Sequence, residues 1–209
     1  MSPFAGPAAF RYGTIWDMDA ASVAFLREVL SPAWVEDTRR LGRAMRYTRS
    51  PGGLLVVGTP SEDPWHLAAH LDDEARLSGL PQLTPTLVRW SPPPGAPAHL
   101  SVGLERIKEA RRGETLLVVA EDQAPAALLE RVDDARRTGT TILALDGGDP
   151  ELEDLAHEAL AVPEAAPVSF DAAQHLVSMA AGEAPRRRPG LRERLARLAD
   201  RVTGPRMPD

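Results

Sequence analysis

Cysteine is absent from the 209 residues. Its absence excludes disulfides, thiolate metal sites, iron–sulfur clusters and a cysteine nucleophile. It also fits a reducing compartment, so the expected location is the cytoplasm. Long apolar runs are missing as well. The best of them, such as 116–120, falls far short of the roughly 18–20 residues that a membrane span needs. The opening MSPFAGPAAF has no basic flank leading into an apolar core, and no secretory leader is expected. The signatures of several common catalytic loops are missing too. There is no G-x-S-x-G elbow, no P-loop and no G-x-G-x-x-G. No internal repeat is visible.

What is present is unevenly spread. The net charge of −6 hides a divide. Eight arginines against Glu193, Asp200 and Asp209 give residues 184–209 a net +5, leaving −11 on the rest. An acidic body repels phosphodiester backbones, so no nucleic acid partner is expected. The 20 prolines, about twice the usual ~5%, cluster at 91–97, 163–167 and near Pro185 and Pro189. They mark loops and joints, since proline lacks an amide donor and restricts its neighbour.

The body reads as alternating elements. Residues 1–19 look loose. Val23, Leu26 and Leu30 carry a helical spacing over 20–30, and Ser31-Pro32 starts the next helix, which runs toward Thr48. Short apolar runs at 54–57, 86–90, 115–120, 140–145 and 159–162 read as strands covered on both faces. Helical spacing over 64–78, 100–111, 126–137, 151–157 and 170–181 fills the gaps. The expected fold is α/β: a three-layer α/β/α sandwich around a five-stranded parallel sheet over 20–182, with N-terminal helices. Residues 183–209 would form a basic hinge and an amphipathic helix striped by Leu191, Leu195, Leu198 and Val202. That helix is the expected contact for its own body, a second subunit or another protein. Ligands of such sheets sit beyond the carboxyl ends of the strands, so the loops at 58–63, 121–125 and 146–150 are the ones to inspect.

Candidate site residues follow from those loops. Thr59 and Ser61 could hold an anion through hydroxyl and amide groups, or Ser61 or Asp63 could simply cap the next helix. His66 and His70 are four apart, on one helix face, a spacing that suits one metal ion. Zinc is the candidate cofactor, with a third ligand from Asp73, Glu74, Gln174 or His175. The pair is not HExxH, because Leu67 stands where that motif has glutamate. Paired surface histidines are the plainer reading. Gly147-Gly148-Asp149 could approach a ligand by backbone or merely turn the chain into a helix. Gln174 and His175 open the last helix of the domain.

The series resembles the SIS (sugar isomerase) family of phosphosugar-binding domains, over roughly 54–182. LLVVGTPSED is similar to that family's first strand and its Ser/Thr phosphate loop. TLLVVAEDQAPAALLERVDDARRTGTTILAL is similar to its strand, loop, helix and strand. DPWHLAAHLDDEA and ALDGGDPELEDLAHEALAVP resemble the sedoheptulose-7-phosphate isomerase branch and its non-catalytic relatives. The resemblance implies a ligand crevice reached by Thr59, Ser61, Glu121, Asp122, Gln123, Gly147, Gly148 and Gln174. It implies catalytic or metal roles at positions matching His66 and His70, with His70, Glu74 or His175 as the base if the chain is an enzyme. It further implies a homodimer or tetramer. Histidine replaces the usual glutamate at position 70. The second loop departs further, for Ala120-Glu121-Asp122-Gln123-Ala124-Pro125 stands where the family has a serine-rich turn. A carboxylate about 4 Å from a phosphate costs about 4 kcal/mol at an effective dielectric near 20, while a helix terminus offers an anion only ~0.3–2 kcal/mol. The expected function is therefore a catalytically altered or non-catalytic domain, serving as a homo-oligomeric binding or regulatory protein. The alternative is a phosphosugar aldose–ketose isomerase, metal-assisted through His66 and His70. A crevice suited to a cationic or neutral ligand is a third reading.

Overall fold

A computed structural model describes residues 30–183 except 96 and 98–100. The expectations for the N-terminal segment, for the start of the helix over 100–111 and for the C-terminal amphipathic helix lie outside the described residues. Helix α1 (Pro32–Met45) starts as its sequence predicts. Ser31 Oγ accepts from the Trp34 amide at 3.2 Å, and proline follows it in the first turn. Strand β1 (Leu54–Val57) is buried at every position. Helix α2 (Trp65–Ser78) ends at Gly79, whose φ of 67° is the left-handed stop that glycine permits. Strand β2 (Pro85–Val88), a one-turn helix α3 (Glu105–Lys108) and strand β3 (Thr115–Ala120) follow. Helix α4 (Ala126–Arg137), strand β4 (Thr141–Asp146), helix α5 (Pro150–Leu155), strand β5 (Glu158–Ala161) and helix α6 (Phe170–Gly182) complete the domain.

All five strands pair in parallel, in the order β2-β1-β3-β4-β5. Alternate residues of each strand feed two cores. Leu54, Val56, Leu117, Val119, Leu143 and Leu145 face α1, α2 and α6. Leu55, Val57, Leu116, Val118, Ile142 and Ala144 face α3, α4 and α5. The expected α/β/α sandwich is the observed one. Among the described residues, no helix is long and apolar enough to cross a membrane.

Two expectations need correction. The helix over 100–111 shrinks to a single turn, because Val102 and Gly103 run beside β2 first. The Arg89 amide donates to the Val102 carbonyl at 2.9 Å, and Arg89 bridges Gly103. Neither Ser61 nor Asp63 caps α2, whose N-cap is Pro64 and which has no side-chain cap. Asp63 instead pairs with Arg89 at 2.8 Å.

The helices on the first face sit close together. Arg46 donates from Nε and Nη2 to the carbonyls of Ala181 and Ala180, both at 2.7 Å, closing the last turn of α6. Gly42 makes this approach possible, since a Cβ there would lie 2.7 Å from the backbone of Ala180 and Ala181. Gly42→Ala gains about 1 kcal/mol of helix propensity, but overpacking against rigid backbone costs about 1–3 kcal/mol. The net expectation is a lower urea midpoint at unchanged slope. A raised midpoint would mean that α1 and α6 part freely.

Candidate functional site

The strand order turns back between β1 and β3. That is the switch point where open parallel sheets present their ligand crevice. The loops after β1, β3 and β4 meet there. Gly58 leaves β1 so tightly that a Cβ would fall 2.0 Å from the Glu62 carbonyl oxygen. The backbone then brings the Glu62 side chain across the switch point. Glu62 Oε2 accepts from the Glu121 amide at 3.2 Å, and Oε1 accepts from Gln174 Nε2 at 3.0 Å. One carboxylate thus ties the first loop to the second loop and to α6. Burial pushes its pKa up, and the charges of Glu121 and Asp171 push the same way. The two hydrogen bonds oppose this.

The second and third loops are tied in the same manner. Asp149 Oδ2 accepts from the Ala124 amide at 2.8 Å, while its Oδ1 caps α5 by accepting from the Glu151 and Leu152 amides. Asp146, fully buried at the end of β4, accepts through Oδ1 from the Gly148 and Asp149 amides. Burial raises the Asp146 pKa despite these bonds. The Gly147 amide donates to the Ala120 carbonyl at 2.9 Å, and a Cβ on Gly147 would lie 2.1 Å from the Glu121 carbonyl oxygen. Gly147 therefore serves loop-to-loop contact. Gly148 is exposed, with a φ of 102°.

Thr59 is buried, and its hydroxyl shares a 3.0 Å hydrogen bond with the exposed Ser61. Beside them, a cleft of about 250 Å³ opens between the ends of β1 and β2, where Arg89 faces Asp63 and the Trp90 indole donates to the Gly58 carbonyl. A larger cleft of about 480 Å³ lies past the ends of β3 and β4. Glu121, Asp122 and Glu164 line it, with Gly147, Ser169 and Phe170, and no lysine or arginine is among its lining residues. Gln123 is exposed and outside that lining.

The histidines lie on the helical layer. His70 meets His175 edge to face, with ring centroids 4.7 Å apart, whereas His66 sits against Trp65 at 3.4 Å. His175 Nδ1 is buried without a partner, and burial, then the neighbouring His70, lowers its pKa. Glu74 lies farther along α2, against Gly182 at the end of α6. Burial, then Asp73, pushes its pKa up. His66 and His70 thus turn to different neighbours. Among the described residues, no three histidine, cysteine, aspartate or glutamate side chains gather as a metal-holding group. The residues present do not fit the zinc site that the histidine spacing suggests.

The family resemblance pointed to Gln174, which here donates to Glu62, but sequence reasoning missed Glu62 and Asp146 and gave Asp149 no role beyond the turn. Aspartate before Pro150 is a readable helix cap. The reach of Glu62 to positions 59 and 112 residues away is a tertiary matter.

No family model matches the chain, and no curated protein matches it. Solved structures do share the fold. A protein from Salmonella typhimurium LT2, described as sugar binding, matches 87% of this chain and 52% of its own length, with 16% identity and a TM-score of 0.51. A protein from Silicibacter pomeroyi DSS-3, described as a phosphosugar isomerase, matches over 85% and 51%, with 16% identity and a TM-score of 0.50. The chain spans about half the length of either. At this identity the likeness establishes the fold, a five-stranded parallel α/β domain shared with those two proteins.

Glu62 also makes the site sensitive to pH. Its folded pKa stands above the ordinary 4.5, so the stabilisation it adds on protonation is full below 4.5 and is lost as pH rises through the folded value. Glu62→Gln keeps a carbonyl acceptor and removes the charge. Its urea midpoint at pH 7 should exceed that of the parent, with a flatter profile above pH 4.5. An equal or lower midpoint would mean that the carboxylate's hydrogen bonds outweigh its burial.

Proposed function

We propose that the chain is a non-catalytic or catalytically altered SIS-type domain, working as a homo-oligomeric binding or regulatory module. Its crevice selects neutral or cationic ligands over esterified sugars. One observation carries this reading: the Glu62 carboxylate takes the Glu121 amide and the Gln174 side-chain donor at the switch point. A phosphate bound there would have to displace that carboxylate. It would also meet Glu121 and Asp122 nearby, at about 4 kcal/mol for each carboxylate within about 4 Å at an effective dielectric near 20. A protonated amine or a bare hydroxyl meets no such opposition.

A second reading, a phosphosugar aldose–ketose isomerase, draws support from the His70–His175 pair. A histidine with a lowered pKa is neutral at pH 7 and can take a proton. That chemistry also needs the substrate phosphate fixed nearby, and this is the weak point of the reading.

Thermal shift against hexose and heptose phosphates, the parent sugars and amino sugars separates the two. Free ligand at 100 times its Kd adds about 2.7 kcal/mol of stability. Shifts with sugars or amino sugars and none with their phosphates are expected. A phosphosugar shift abolished by Thr59→Ala would overturn the crevice's selection against esterified sugars, and turnover of that sugar would then favour the isomerase. Light scattering should give a dimer or larger species at micromolar concentration, and a monomer would remove the homo-oligomeric part of the proposal.

A further inference from the structure

The layer formed by α1, α2 and α6 carries a groove of about 420 Å³ on its outer side. Its walls are apolar: Trp34 and Val35 from α1, and Leu176, Met179 and Ala180 from α6. Met179 is 41% exposed, and with Trp34, Val35, Leu176 and Ala180 it makes a contiguous apolar patch rather than a lone exposed side chain. The Trp34 indole Nε1 is buried and has no acceptor among the described residues, although a buried indole N–H ordinarily finds one. Acids stand where α6 ends. Glu74 lies against Gly182, Glu183 follows it, and both line the groove. Arg39 sits 3.7 Å from Glu183. No cation among the described residues pairs with Glu74, whose pKa rises through burial and the charge of Asp73.

Two segments outside the described residues could lie here. Residues 1–29 enter α1 nearby, but they carry Arg11 and Arg27 against Asp17, Asp19 and Glu28, a slight negative balance beside an acidic rim. Residues 184–209 suit the groove better. They leave α6 at Glu183, on the groove itself. Their net charge is +5 against −11 for the rest of the chain. Leu191, Leu195, Leu198 and Val202 repeat at helical spacing, with Arg192, Arg194, Arg197 and Arg201 between them. Residues 184–190 can extend over about 25 Å, more than the roughly 20 Å length of α6 at 1.5 Å per residue. The chain can therefore turn back and run along the helix it has just left.

We infer that residues 191–202 dock as an amphipathic helix in the groove of their own chain, seating the leucine stripe on Trp34, Leu176 and Met179 and bringing arginines to Glu74 and Glu183. The docked segment covers Met179, and its arginines neutralise the acids at the end of α6.

The absence of cysteine makes a direct test clean. A disulfide forms only when the two Cα atoms come within about 7 Å. Met179→Cys is combined in the full chain with Leu195→Cys on the stripe, or with Arg194→Cys off it, and each pair is oxidised under mild conditions. The stripe pair should close within one chain at least five-fold faster than the off-stripe pair, as read from peptide masses and non-reducing gels. Salt at 1 M should slow it by weakening the arginine contacts. Met179 belongs to neither of the two buried cores, so its substitution leaves them intact, and circular dichroism of each variant checks this. A dimer-sized disulfide product would place a second copy in the groove. A faster closure between Met179→Cys and Val23→Cys would place the N-terminal segment there. Equal rates for the stripe and off-stripe pairs would mean no seating at all. Each of these three results overturns the inference.

Discussion

Backbone amides at the carboxyl ends of parallel strands are the natural currency of anion recognition, and in this chain carboxylates of its own take them. Glu62 holds the Glu121 amide, Asp149 holds the Ala124 amide, and Asp146 holds those of Gly148 and Asp149. The same contacts join the loops after β1, β3 and β4 into one unit. The arrangement is a compromise. Buried carboxylates carry a desolvation penalty, visible in the raised pKa values of Glu62 and Asp146, yet each bond to an amide recovers part of it. The crevice that remains is acidic, and any ligand must satisfy that charge or avoid it.

The helical layer behind this crevice follows a different logic. Parallel strands buried on both faces need helices held flat against them. Here α1 and α6 touch backbone to backbone through Gly42, with Arg46 completing the last turn of α6. His70 and His175 sit in the adjoining α2–α6 contact, next to Gln174 and hence one residue from the Glu62 network. Protonation of His175 and of the Glu62 carboxylate would therefore act on two sides of the same stretch of α6.

The strands were legible because burial on both faces leaves unbroken apolar runs. TLLVVA at 115–120 is the plainest example. The helix start at Ser31-Pro32 was legible because capping is local chemistry, whereas the helix expected over 151–157 begins one residue earlier, at Pro150, with Asp149 as its cap. The helix over 100–111 misled because Ile107 and its neighbours have helical spacing, while pairing with the end of β2 holds the preceding residues extended. At the site, Thr59, Ser61, Glu121 and Gly147 were brought toward the switch point by the topology, and Gln174 by the family resemblance. Glu62 was not legible. An acid in a loop is usually solvated, and nothing local to GTPSED shows that a loop 59 residues away will offer it an amide. For the metal reading of His66 and His70 the limit is the converse one. Spacing places two side chains on one face, but the described residues bring no third histidine, cysteine or carboxylate to them.

The margins of the sheet bear on how copies of this molecule can meet. β2 is four residues long, begins with a proline that has no hydrogen to give, and is flanked beyond its end by the Arg89–Gly103 bridge. β5 is equally short, and Arg40 of α1 reaches over to Glu158 within it. Neither border offers a long, flat ladder for a guest strand. Among the described residues, both borders therefore disfavour ribbon-like growth by strand addition.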